Sequence, residues 1–198
     1  MTQWTFSESL AVADRIARVF ETLEIPYAIG GSVASSLHGF PRSTMDIDLV
    51  ANLKLEDLDA FVAAIEQDFY VDRDRVRQSI ELEDSFNLIE LKIALKVDIF
   101  VRRTSPLSVS ELKRAQEVTT EAGHRFVVAA PEDVVLQKLD WYRRGGSISE
   151  RQWGDLLGVL EVQQGRLDMD YLHQWAAQLQ LEELLAKALS EASGASEA

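Results

Sequence analysis

Tyr27-Ala28-Ile29-Gly30-Gly31-Ser32, followed by Met45-Asp46-Ile47-Asp48-Leu49-Val50-Ala51, is the part of this 198-residue chain that decides its architecture. Tyr27 to Ile29 is a short apolar run and reads as a buried strand. It runs straight into Gly30-Gly31, where a missing Cβ lets the backbone turn and approach a partner closely. Ser32 to Leu37 reads as a short helix ended by Gly39. Asp46 to Ala51 alternates carboxylate and apolar side chains, the pattern of a strand with one polar face and one buried face.

On a strand, residues i and i+2 point to the same side, so Asp46 and Asp48 project together. Two such carboxylates repel unless a cation sits between them. Their hard oxygens suit Mg²⁺, which takes one or two protein carboxylates together with phosphate oxygens. Asp98 repeats the theme in Lys96-Val97-Asp98-Ile99-Phe100, an ionisable group set between branched apolar neighbours. If the two strands are neighbours, three carboxylates converge. The glycine pair and the start of the following helix offer backbone N–H groups to an anion. With the Ser32 hydroxyl, they would hold the β- and γ-phosphates of a nucleotide. A triphosphate cradle beside a carboxylate cluster is what in-line displacement at an α-phosphate with two metal ions requires.

Ile29-Gly30-Gly31-Ser32, a gap of 13 residues from Val33 to Met45, and then Asp46-Ile47-Asp48-Leu49 together resemble the hallmark of the DNA polymerase β-type nucleotidyltransferase superfamily. Asp98 matches that superfamily's third carboxylate. Leu37-His38-Gly39-Phe40-Pro41-Arg42-Ser43-Thr44 resembles small bacterial members. Pro131-Glu132-Asp133-Val134-Val135-Leu136-Gln137-Lys138-Leu139 is similar to a helix of the abortive-infection toxin-type members, whose lysine contacts the triphosphate. Asp155 matches an aspartate on their next helix.

The resemblance implies an Mg²⁺-dependent nucleotidyltransferase with two ions on Asp46, Asp48 and Asp98; the cytoplasm is the default location for a chain with neither a signal-peptide layout nor a membrane span. An NTP would be held by Gly30, Gly31, Ser32 and Lys138. NMP would pass to a hydroxyl on a small molecule, on an RNA end such as tRNA, or on a partner protein. A non-catalytic module of the same fold, such as an antitoxin, is the alternative.

The rest of the chain reads as helices and strands around this centre. Ser7 to Leu23 has helical apolar spacing, with Ser7 as the N-cap and Pro26 as the stop. Leu55 to Phe69 reads as a second amphipathic helix, and Asp72 to Ile80 is ambiguous. Phe86–Glu90 and Lys96–Arg102 read as a hairpin. A helix over Ser110–Gln116 and a strand over Arg125–Ala129 follow. Pro131 opens a helix at its favoured first position and Gly145-Gly146 closes it. Ser149 with Gln152 resembles a capping box for a helix to about Glu161. Two more helices are expected, at about Asp170–Gln178 and Leu181–Ala192.

The expected organisation is α/β (α+β), a small mixed sheet flanked by helices over residues 1–130. A helical subdomain over 131–192 and a disordered tail over 193–198 complete it.

The bulk properties narrow the functional classes. There is no cysteine, which removes disulfides, zinc–thiolate sites and a thiol nucleophile. No apolar run reaches the roughly 20 residues that span a bilayer, and Met1-Thr2-Gln3-Trp4 lacks a signal-peptide layout. The net charge of −13 speaks against a broad nucleic-acid surface. The basic clusters Arg73/Arg75/Arg77, Arg102-Arg103 and Arg143-Arg144 read as solvated faces. His38 reads as a packed core histidine, and His124 and His173 as surface residues. Trp141, Trp153 and Trp175 read as core. Arg42 fits either a phosphate or a structural pair with Asp46 or a glutamate.

Overall fold

A computed structural model describes residues 6–44, 46–120, 123 and 125–195. By internal packing the chain forms two compact units. One takes the residues up to Val33 together with Ser43–Ala129; the other takes Ala34–Arg42 together with the residues from Ala130 on.

The first unit is built on a seven-stranded mixed sheet. Its strands are β1 (Tyr27–Ile29), β2 (Asp46–Ala51), β3 (Phe69–Tyr70), β4 (Ser85–Glu90), β5 (Lys96–Val101), β6 (Gln116–Thr119) and β7 (Arg125–Val128), in the order β3-β4-β5-β2-β1-β7-β6. β2 lies antiparallel to β1 and parallel to β5, while β4 and β5 form the expected hairpin. β3 and β6 were not expected from the sequence. Both lie at sheet edges and are too short to alternate visibly: Phe-Tyr and Gln-Glu-Val-Thr.

One face of the sheet is apolar because every second residue of its central strands is. Ile47, Leu49 and Ala51 of β2 and Val97 and Ile99 of β5 are fully buried. Helices α1 (Phe6–Thr22), α3 (Leu58–Ile65) and α4 (Arg73–Leu82) belong to the same unit. Phe61 of α3 stacks on Phe20 of α1 at 5.4 Å between ring centroids and meets Phe86 of β4 edge-on at 6.0 Å.

Glu90, at the end of β4, is 1% exposed. It accepts from Arg15 Nη2 at 2.6 Å and from the backbone N–H groups of Lys92 and Ile93. Burial pushes its carboxyl up, but those donors outweigh burial and hold it below the ordinary glutamate value. The β4–β5 turn and α1 are thereby tied to one buried charge.

Several boundaries differ from the sequence expectation for local reasons. Ser7 lies inside α1 rather than capping it. That helix ends before Pro26, with Glu24 in a left-handed conformation and Ile25 N–H returning to Phe20 O. The segment Leu55–Phe69 is a 3-10 turn (Leu55–Asp57), then α3, then β3. Asp72–Ile80 resolves into α4, capped by the Asp72 carboxylate on Asp74 and Arg75 N–H. Helix α5 (Pro106–Arg114) starts earlier than expected because Ser105 caps it and Pro106 occupies its first turn.

The second unit holds α6 (Pro131–Arg144), α7 (Glu150–Val162), α8 (Met169–Leu179) and α9 (Glu182–Ala195), together with the end of α2 (Gly31–His38). Ser149 Oγ caps α7 on Gln152 N–H. Glu132 of α6 accepts from the backbone N–H of Asp168 at 2.8 Å, and Tyr171 Oη donates to Asp133 at 2.6 Å. At Gly39 a Cβ would stand 2.8 Å from the backbone of Gly158, so two glycine-bearing segments touch. Of the expected tail, Ser193–Ala195 belong to α9, and 196–198 lie outside the described residues. Trp141, Trp153 and Trp175 are half-exposed rather than core; Trp153 is held by Glu191 and by Lys187 over its ring.

Phe61 has aromatic partners on both α1 and β4, so its loss should leave a cavity between helices and sheet. Phe61→Ala is expected to cost about 3–5 kcal/mol, read as a lower urea midpoint with an unchanged slope.

Candidate active site

The site is built around Asp48. Gly30 N–H donates to Asp48 O at 2.8 Å, so the β1–β2 ladder continues one residue beyond the strand and sets the glycine pair against β2. Gly31 then turns the chain into α2 with φ +54°, a conformation that favours glycine. A Cβ at Gly31 would stand 1.8 Å from Asp48 Oδ2 and 2.6 Å from its Cγ. Both backbone and space therefore demand glycine here. Ser32 is the second residue of α2, half-buried, rather than a cap in front of it. Thr44 precedes β2: its Oγ1 donates to Asp46 O at 2.9 Å, while its own carbonyl accepts from Ser9 Oγ. These two bonds fix the entry to β2.

The parallel pairing of β2 with β5 sets Asp46 opposite Lys96 and Asp48 opposite Asp98. On β4, Asn87 stands opposite Asp98. The three carboxylates singled out in the sequence thus lie on one face of two adjacent strands. Asp98, with its side chain 16% exposed, accepts from Lys96 Nζ at 2.8 Å through Oδ2 and from Asn87 Nδ2 through Oδ1. The hydrogen bond to Asp98 holds the Lys96 ammonium above its ordinary pKa against the opposing pull of burial, and Asp98, Asp46 and Asp48 add electrostatic support.

Sequence reasoning overlooked Lys96 and Asn87 as site residues. Lys96 was visible in principle, since it sits two residues before Asp98 and so shares its face. Asn87 needed the hairpin register, which spacing alone does not supply.

The donor set consists of hard carboxylate oxygens beside a glycine cradle that any side chain would fill, and this fits a divalent cation with an anionic ligand. Among the described residues, no three carboxylate or imidazole side chains are gathered closely enough to form a ready metal cluster. Lys96 and Asn87 each donate to one oxygen of Asp98, which leaves a carboxylate further acceptor capacity.

The remaining candidates lie in the helical unit. Asp155 of α7, its side chain 8% exposed, accepts two bonds from Arg42 at 2.6 and 2.7 Å and one from Lys138 Nζ at 2.7 Å. Lys138 itself is 1% exposed. Burial pushes the Asp155 carboxyl up, and the two cations outweigh it and hold it below the ordinary aspartate value. Arg42 thus pairs with Asp155 of α7. His38 is buried as expected, its carbonyl accepting from Gln163. His173 is exposed, and His124 lies outside the described residues. Arg73, Arg75, Arg143 and Arg144 pair with Asp59, Asp84 and Asp140. No helix among the described residues is long and apolar enough to cross a membrane.

Gly31→Ala should lower the thermal midpoint more than Gly123→Ala. Both positions have positive φ, but a Cβ at Gly123 meets nothing within 4 Å. The control bears only the backbone cost of about 1–2 kcal/mol, whereas the Gly31 variant must also displace Asp48. Equal losses would mean that Asp48 does not hold the turn.

No protein-family model and no curated protein sequence matches the chain. Solved structures do. The antibiotic-resistance factor ANT(2'')-Ia aligns over 92% of this chain and 97% of its own, at TM-score 0.58 and 11% identity. An antigenic nucleotidyltransferase-like protein from Paracoccidioides brasiliensis aligns over 91% of each chain, at TM-score 0.54 and 18% identity. The lincosamide antibiotic adenylyltransferase LnuA, in its lincomycin-bound structure, aligns over 81% of this chain and 99% of its own, at TM-score 0.54 and 13% identity. At such identities the likeness is one of fold: the mixed sheet and its helices form a nucleotidyltransferase fold.

Proposed function

We propose that the chain is a divalent-ion-dependent nucleotidyltransferase that moves NMP from an NTP to an acceptor hydroxyl and releases pyrophosphate. The observation that carries this reading is the fit of Gly31 against Asp48. It puts the first turn of α2 beside a carboxylate pair, with Asp98 in register on the next strand. A phosphate needs donors and the cation it travels with needs acidic oxygens, and both are adjacent here.

In this reading the Gly31 N–H, the start of α2 and the Ser32 hydroxyl bind the terminal phosphates, with Gly30 allowing the turn. Asp46, Asp48 and Asp98 are the oxygen donors for magnesium. When bound, magnesium neutralises phosphate charge and polarises the reacting phosphoryl group. Asp98, oriented by Asn87, takes the proton of the acceptor hydroxyl. The acceptor oxygen forms its bond to the α-phosphorus while the bond from that phosphorus to the bridging oxygen breaks. Pyrophosphate departs with that electron pair. Lys138 is assigned to the triphosphate on the likeness of Pro131–Leu139 to the toxin-type helix alone. The acceptor is a hydroxyl on a small molecule, on an RNA end such as tRNA, or on a protein.

The test is incubation with each α-³²P-labelled NTP, Mg²⁺ and a cell extract, followed by asking whether label travels with small molecules, RNA or protein. Asp46→Asn and Asp48→Asn should reduce transfer to background. Their thermal midpoints should be unchanged or higher, because like-charge repulsion is relieved. No transfer by the wild type, together with no heat of NTP binding in Mg²⁺, would overturn the enzyme reading in favour of a non-catalytic module.

A further inference from the structure

We infer that Tyr70, Ile89 and Leu91 form the acceptor subsite, and that the acceptor is a small molecule carrying an apolar or aromatic ring as well as its reacting hydroxyl. This rests on the nucleotidyltransferase reading above and narrows its acceptor, which the aspartates leave open.

Sheet register places these side chains. Tyr70 of β3 pairs with Ile89 of β4, Ile89 with Lys96 of β5, and Lys96 with Asp46 of β2. Paired residues share a face, so Tyr70 and Ile89 stand on the side of the sheet that carries Asp46, Asp48 and Asp98. Phe69, Leu88 and Glu90, which alternate with them, are buried. Leu91 follows two residues after Ile89, and its N–H donates to Asp68 O at 2.9 Å, carrying the pairing of β3 with β4 one residue further. Tyr70, Ile89 and Leu91 are 58%, 41% and 57% exposed. Large apolar groups gathered in water mark a binding surface. Neighbouring strands lie about 4.8 Å apart, so Tyr70 stands about 10 Å across the sheet from β5 and its Asp98.

Position, size and charge together identify what binds there. A ring seated on Tyr70 and Ile89 leaves the rest of the same molecule about 10 Å to reach Asp98, the group that takes the acceptor proton in this reading. Three partly exposed side chains fall well short of the roughly 800 Å² per partner of a stable protein complex. An RNA end needs positive charge for its phosphates. Around the patch the charges balance: Arg15 pairs with Glu90 and Asp68, Lys92 with Asp68, and Lys96 with Asp98. The patch therefore offers phosphates no net positive field. A ring gains from a tyrosine face and aliphatic neighbours without any charge.

The test uses the full chain with Mg²⁺, each α-³²P-labelled NTP and a cell extract divided into RNA, protein and a small-molecule filtrate. The filtrate is split on reversed-phase resin, and label should pass to its retained part. At limiting filtrate, Tyr70→Ala should lower that transfer about tenfold. Ile89→Ser should lower it too, and Tyr70→Phe should keep it. Both positions face water at the sheet edge, so neither substitution opens the core. Affinity for α,β-methylene-ATP with Mg²⁺, read by calorimetry, should stay at the wild-type value in all three variants. Undiminished transfer in Tyr70→Ala and Ile89→Ser, or nucleotide affinity that falls in step with transfer, would overturn the subsite. So would label in RNA, in protein or in the unretained filtrate, or in no fraction while nucleotide still binds; each of these leaves the nucleotidyltransferase reading standing. No transfer together with no heat of NTP binding would overturn that reading, and this inference with it.

Discussion

At Gly31 the backbone approaches the Asp48 side chain more closely than any side chain at residue 31 would allow. A single methyl group at residue 31 would overlap the Asp48 carboxylate, at 1.8 Å from Oδ2. The neighbouring bond from Gly30 N–H to Asp48 O holds the two segments at this separation. The helix start, the antiparallel pairing of β1 with β2 and the exposed side of β2 are thus set together. β5 then joins β2 in parallel register and brings Asp98 level with Asp48. Apolar alternation on the opposite face makes that register stringent. A slip of one residue would bury the aspartates and expose Ile47, Leu49, Val97 and Ile99.

Such an arrangement concentrates like charge. Two unit charges about 5 Å apart repel by about 3 kcal/mol at an effective dielectric of 20, which is a large share of a typical domain's net stability of about 5–15 kcal/mol. The chain answers with local donors. Lys96 and Asn87 serve Asp98, Arg15 and two backbone N–H groups serve Glu90, and Arg42 with Lys138 serves Asp155. Apart from Lys96, which shares β5 with Asp98, these donors come from other strands or helices, or from loops and turns. The overall charge of −13 remains, so affinity for a polyanionic ligand would depend on local donors and a bound cation rather than on the global field.

Much of this centre was legible in the sequence because it follows from short-range periodicity. Period two in Asp46–Ala51 and Lys96–Val101, and a glycine pair after an apolar run, need no tertiary information. The fold class follows from the same signals, and the caps at Pro131 and Ser149 marked two helices correctly. What escaped depended on pairing. β3 and β6 are edge strands whose identity comes from the neighbour they bond. Asn87 became a site residue only through the register of a hairpin. Residues 42, 138 and 155 meet at one carboxylate across long stretches of chain, which no local pattern records. The three tryptophans had helical spacing, but a long amphipathic ring can lie along a helix surface with its polar edge in water.

The central claim is that the Gly31 turn and the Asp46–Asp48 pair together hold a metal–nucleotide complex. It is tested most directly by a crystal structure grown with MnCl₂ and α,β-methylene-ATP, using the anomalous scattering of manganese. The expected result is an anomalous peak at Asp46 and Asp48, with the triphosphate lying over Gly31 and Ser32. Manganese elsewhere, or a nucleotide bound away from the glycine turn, would contradict it.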